Sequence, residues 1–143
     1  MRCVWRILIV IPAGFLAASL AAAIVLVLAA RGDPYPGETT GDLAGKVLLV
    51  GAIAAMFVGA VAAVPALVMI VLAEAFGWRS LILHLVISAG IGFVAFLLGI
   101  GGEPPATSGE LQLGAAAGAV GGFVYWLVAG RRAGLRERRD AAP

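Results

Sequence analysis

Apolar residues in this chain come in long, nearly unbroken runs, and polar residues are confined to the short pieces between them. Four runs stand out: Ile7 to Ala30, Val47 to Ala73, Leu81 to Ile100 and Leu111 to Gly130. A bilayer hydrocarbon core of about 30 Å needs roughly 20 apolar helical residues, and each run meets or nearly meets that length. The expectation is an all-α polytopic membrane protein, a four-transmembrane-helix bundle. Its helices are placed at about 5–30, 46–74, 80–100 and 110–130, with a basic tail over 131–143. The pieces between the runs are too short to bury a core of their own, so residues 1–143 read as a single integral membrane domain.

The polar pieces carry helix-boundary chemistry. "TTGDL" at 39–43 and "TSGEL" at 107–111 each follow prolines and lead into an apolar run. Thr39 with Asp42, and Thr107 with Glu110, have the spacing of an N-cap and its N3 acid, which satisfies orphan N–H groups and sets negative charge on the positive end of the helix dipole. The likeness of the two motifs raises a tandem repeat of helical hairpins, although the halves align poorly beyond these positions. Between the second and third runs, "FGWRS" reads as a tight turn: Gly77 ends one helix, Ser80 caps the next, and Trp78 is an interfacial anchor.

Composition agrees with membrane residence: 62% of residues are hydrophobic and 13% charged, against a soluble average of about half and about a quarter. Charge adds an orientation. Arg2, Arg6, Arg79 and the arginines of the tail fall on one side, and Arg31 and Lys46 on the other. By the positive-inside rule both termini are cytoplasmic, and Trp5, Trp78 and Trp126 then all lie near cytoplasmic helix ends, as an aromatic belt does. Arginine in place of lysine, with abundant Ala and Gly, points to a GC-rich bacterial genome and hence to the bacterial inner membrane. The first run exceeds the typical signal-peptide h-region of about 7–15 residues, so it is read as retained. The tail "RRAGLRERRD" is a topology signal, or a patch for anionic lipid at about 1 kcal/mol per basic residue. No folded module for nucleic acid accompanies it. A single Cys and a single His leave no disulfide framework, and neither a metal site nor a cofactor is expected. Pro12 and Pro65 lie inside apolar runs toward the cytoplasmic side, where each removes a helix hydrogen bond and favours a kink.

Two kinds of candidate site emerge. Gly114, Gly118 and Gly122, and separately Gly51 and Gly59 with Ala55 and Ala63, recur at four-residue spacing, which lets helix backbones approach closely in lipid. The second candidate is a polar cluster, Glu74, Arg79 and His84. Glu74 near a helix C-terminus and Arg79 near a helix N-terminus both carry the sign the dipole disfavours, so a pair across the turn, or with Arg6 or Arg131, would offset the placement. His84 lies about 7.5 Å deeper than Arg79 and forms one stripe with Ser80 and Ser88. It reads either as a titrating or solute-contacting site or as a neutral side chain bonded to Ser or backbone. "VISAGIG" around Ser88 lacks the Gly-x-Ser-x-Gly form, and no enzymatic activity is expected. Small multidrug-resistance transporters carry a membrane-embedded Glu in their first helix, where this chain offers only Ser19. The polar and Phe residues of fluoride channels find no counterpart either.

The chain resembles small uncharacterised four-helix inner-membrane proteins of bacteria, most recognisably where the proline-containing second run leads into "LAEAFGWRS". The resemblance implies membrane residence and carries no activity. The functional expectation is a non-enzymatic accessory or scaffold subunit that forms a homo-oligomer or joins a larger membrane complex. The alternative is a small oligomeric transporter or channel gated at Glu74, Arg79 and His84.

Overall fold

The computed structural model describes residues 6–31, 39–98 and 107–132. These residues are almost wholly helical, with no strand among them: α1 is Ile11–Ala30, α2 Thr40–Phe76, α3 Leu81–Leu97 and α4 Ser108–Val128. A π-type turn, Arg6–Val10, leads into α1, and a 3-10 turn, Gly130–Arg132, follows α4. Pro12 sits in the first turn of α1, directly after the π-type turn. Pro65 lies within α2, which continues as α-helix beyond it.

Local chemistry sets the helix ends. The Thr39 hydroxyl accepts the Asp42 N–H at 3.2 Å while the Asp42 carboxylate accepts the Thr39 hydroxyl at 2.7 Å and the Thr39 N–H at 3.4 Å. Thr107 and Glu110 repeat the arrangement ahead of α4, with the Glu110 carboxylate 2.6 Å from the Thr107 nitrogen. Because the cap decides the start, α2 begins at Thr40, ahead of the apolar run that opens at Val47. At its other end Gly77 takes a left-handed φ of 66°, and the Gly77 and Trp78 N–H groups both reach the Ala73 carbonyl. The Ser80 hydroxyl then accepts the Leu83 N–H at the start of α3.

The lateral order of the bundle is α2, α1, α4, α3. The central pair, α1 and α4, is antiparallel: Gly14 at the start of α1 meets Ala129 and Tyr125, and Gly121 meets Ala18 and Ala22. Consecutive helices α2 and α3 share a turn but touch little beyond it. Small side chains make the close approaches. A methyl carbon on Gly118 would run into the Ser88 carbonyl oxygen, one on Gly92 into the Gly114 carbonyl oxygen, and one on Gly114 would lie 2.6 Å from the Phe96 ring. The Gly114, Gly118 and Gly122 stripe is thus the α4 surface against which α3 packs. Gly51 and Gly59 lie against α1, with Ile24 and the Ser19 hydroxyl as their nearest neighbours.

The bundle is small inside and apolar outside. Its buried residues include Ala22, Ala23, Ala73, Ala117 and Ala129, whereas Leu16, Met56, Phe57, Val64 and Ile82 are exposed. A soluble monomer rarely shows so much contiguous apolar surface. Leu8–Ala30, Thr40–Phe76 and Ser108–Val128 are each long and apolar enough to cross a membrane. At 17 residues α3 is apolar and falls at the short end of the spanning range, about 17–25 residues. Together these features describe a helical bundle suited to a membrane.

Candidate functional site

The most unusual group in the interior is His84, only 1% exposed and the largest fully buried side chain among the described residues. Its Nδ1 is 2.9 Å from the Ser80 carbonyl oxygen, one helical turn back. A carbonyl only accepts, so Nδ1 carries the proton, and in the neutral ring Nε2 is then the acceptor. Nε2 is buried without a hydrogen-bond partner among the described residues. It faces Gly130, where a methyl carbon would come within 3.1 Å of it. The imidazole also stacks on Tyr125, with centroids 6.0 Å apart and planes at 20°. These contacts are those of a histidine bonded to its own backbone and wedged between α3 and α4.

Just outside His84, the end of α4 is fastened to the α2–α3 turn. The Trp126 indole N–H donates to the Arg79 carbonyl at 2.9 Å, so a carbonyl of the α2–α3 turn is satisfied from another helix. The Arg131 guanidinium lies 5.7 Å from the centre of the Trp126 ring and its Nε donates to the Leu127 carbonyl at 3.2 Å. Trp78 stacks on Phe76 in the turn itself, at 5.4 Å. One end of the bundle therefore combines aromatic rings with exposed Arg79 and Arg131 side chains.

The three cluster residues separate by depth. Glu74 is half-buried in the last turn of α2, Arg79 is exposed in the turn, and His84 is enclosed. Arg2, Trp5, Glu103 and the tail beyond Arg132 lie outside the described residues, as does the side chain of Arg6. Among the described residues no three His, Cys, Asp or Glu side chains gather as a metal site would require. On the opposite end, Asp42 precedes the apolar run of α2. The Thr39 hydroxyl, then the Thr39 N–H and nearby Lys46, hold its carboxyl below the usual carboxylate range.

A second feature lies at mid-depth. Because α2 stands away from α3, a cavity of about 280 Å³ opens between them, with α1 and the glycine face of α4 as its floor. Ser19, Ser88 and Tyr125 are the polar side chains on its wall. Tyr125 and Gly130 carry much of the geometry around His84 and were not singled out by sequence reasoning. The signal for Tyr125 was present, since it lies three residues beyond Gly122 on the same helical face. Gly130 had none apart from its place after the last apolar residues.

No family model, no curated protein and no solved structure matches this chain.

Proposed function

We propose that this protein is a non-enzymatic accessory or scaffold subunit of the bacterial inner membrane, with both termini cytoplasmic. The observation that carries the reading is α2. At 37 residues it is about 55 Å long, well beyond a hydrocarbon core of about 30 Å. It packs mainly on α1, and Ile53, Met56, Val64, Leu67 and Val71 remain exposed along its outer side. A helix so long and so little used by its own bundle offers a face to a second copy or to a larger membrane complex. The glycine faces do not supply that interface, because they are occupied within the chain. Orientation rests on the arginine bias and the tryptophans near one end. Native mass determination in mild detergent, paired with pull-down from membranes, is the test. A partner-free monomer in both overturns the reading.

A small transporter or channel is the second reading, and the observation that favours it is the buried His84 Nε2 without a partner, a costly feature inside a membrane. Flux into liposomes by wild type, lost in His84→Ala, supports it. Absence of flux for every ion and small amphiphile tried removes it.

A further inference from the structure

We infer that the cavity between α2 and α3 is a lipid site that takes one acyl chain of an anionic phospholipid, with the phosphate held at the Arg79 and Arg131 end. The shape comes first. The cavity's α4 wall runs from Gly114 to Tyr125, a length of about 16 Å at 1.5 Å per residue, so its volume of about 280 Å³ is drawn out along the bundle. That is a slot for a chain. Water is a poor occupant, because an ordered water needs two to four polar partners and most of the wall is Ala, Gly, Val, Ile and Phe. For comparison, an apolar cavity of about 150 Å³ stays dry and admits benzene. This one is roughly twice as large and elongated.

The end chemistry then fixes polarity. Two of the polar wall residues, Ser88 and Tyr125, are nearer the Arg79 and Arg131 end than Gly114 is, as the antiparallel packing of α3 on α4 requires. Roughly 9 Å beyond Tyr125 along the chain, Arg131 lies over Trp126, which is itself bonded to the Arg79 carbonyl. A phosphate at that level is complementary in charge, and an indole is suited to the same depth. The wide spacing of α2 from α3 gives the chain lateral entry from the bilayer.

The inference rests on membrane placement and is independent of the accessory role. Release of the protein from membranes by alkaline carbonate removes the placement itself. The site is tested with full-length protein in vesicles of phosphatidylglycerol and phosphatidylcholine, using a phosphatidylglycerol with a photoreactive group in mid-chain. Wild type is expected to cross-link at Ile91 or Ala95 and to retain one phosphatidylglycerol in native mass spectra. Ala62→Phe with Ala95→Phe, which fills the slot from both sides, is expected to reduce retention at least tenfold, while Val64→Phe on the outer side of α2 leaves it unchanged. Arg131→Gln is expected to lower the preference for phosphatidylglycerol over phosphatidylcholine about fivefold, the effect of one surface basic residue. Equal retention by wild type and the filled slot overturns the inference. Cross-links confined to the outer side of α2, or native masses that carry a second polypeptide in place of the lipid, overturn it too. Should the double variant fail to fold, the wild-type cross-linking map decides alone.

Discussion

A single methyl group decides whether α3 and α4 can touch at Gly118. The atom it would meet is the Ser88 backbone oxygen, which cannot rotate away as a side chain can. We expect Gly118→Ala to destabilise the solubilised protein by about 1–3 kcal/mol through overpacking, despite the gain in helix propensity. Gly90 is the internal control: a methyl carbon there meets nothing within 4 Å. Gly90→Ala is therefore expected to stabilise by about 0.5–1 kcal/mol. Thermal or denaturing-detergent titration of the two variants side by side checks the pair, and a similar response from both sinks the argument. The four-residue spacing of Gly114, Gly118 and Gly122 was readable in the sequence. That the facing helix is α3 of the same chain was not, because spacing describes one surface and is silent about its partner. His84 shows the same limit. Its bond to the Ser80 carbonyl is local, but Tyr125 and Gly130, which close around the ring, come from the end of α4 and the turn after it, roughly forty residues away.

At the scale of the element, boundaries were the most legible feature of all. N-caps, the Gly77 turn and the Ser80 cap depend on residues within a few positions of each other, so no tertiary context is needed to see them. The two threonine caps are expected to behave alike. Thr39→Ala and Thr107→Ala should each cost about 1 kcal/mol and fray the first turn of the helix that follows, as read by amide exchange at residues 40–43 and 108–111. The Asp42 half of the first cap adds a pH dependence. Its pKa is lower in the folded chain than in the unfolded one, so its contribution is fully present above the ordinary carboxylate value and is lost as pH falls through the depressed folded value. Amide protection at the start of α2 should accordingly drop in acid, and Thr39→Val should flatten that profile. An unchanged profile in the variant would contradict the assignment. What the apolar run concealed was length: hydropathy marks where a helix is greasy, while the cap marks where it begins, and for α2 the two differ by seven residues, about two turns.

For the whole molecule, the order of helices around the bundle was invisible in advance for a physical reason. In water a helix shows its packing face by the contrast between apolar and polar sides. In α1 and α2 nearly every side is apolar; the inward side of α1 differs mainly by being small, while that of α2 mixes Gly51 and Ala73 with Met69 and Ile70. The resulting arrangement has a tight central seam, α1 on α4, and a loosely tied flank, α2 beside α3. Few buried contacts mean low local stability, so the flank should fluctuate more than the seam. Spin labels on the outer sides of α2 and α3 should give a broader distance distribution than labels on α1 and α4, measured by pulsed electron resonance in lipid. Equal widths would show that the flank is as fixed as the seam.

That seam also joins the first helix to the last, which matters while the protein is being made. At about 5–20 residues per second, the ribosome takes on the order of 5–20 s to pass from the end of α1 at Ala30 to the end of α4 at Val128. Throughout that interval the small-residue side of α1, with Gly14, Ala18 and Ala22, stands in the bilayer before the helix that will cover it exists. Nascent α1 and α2 therefore wait as a half-finished hairpin, within reach of whatever insertion machinery attends the membrane, and the centre of the molecule is the last part of it to close.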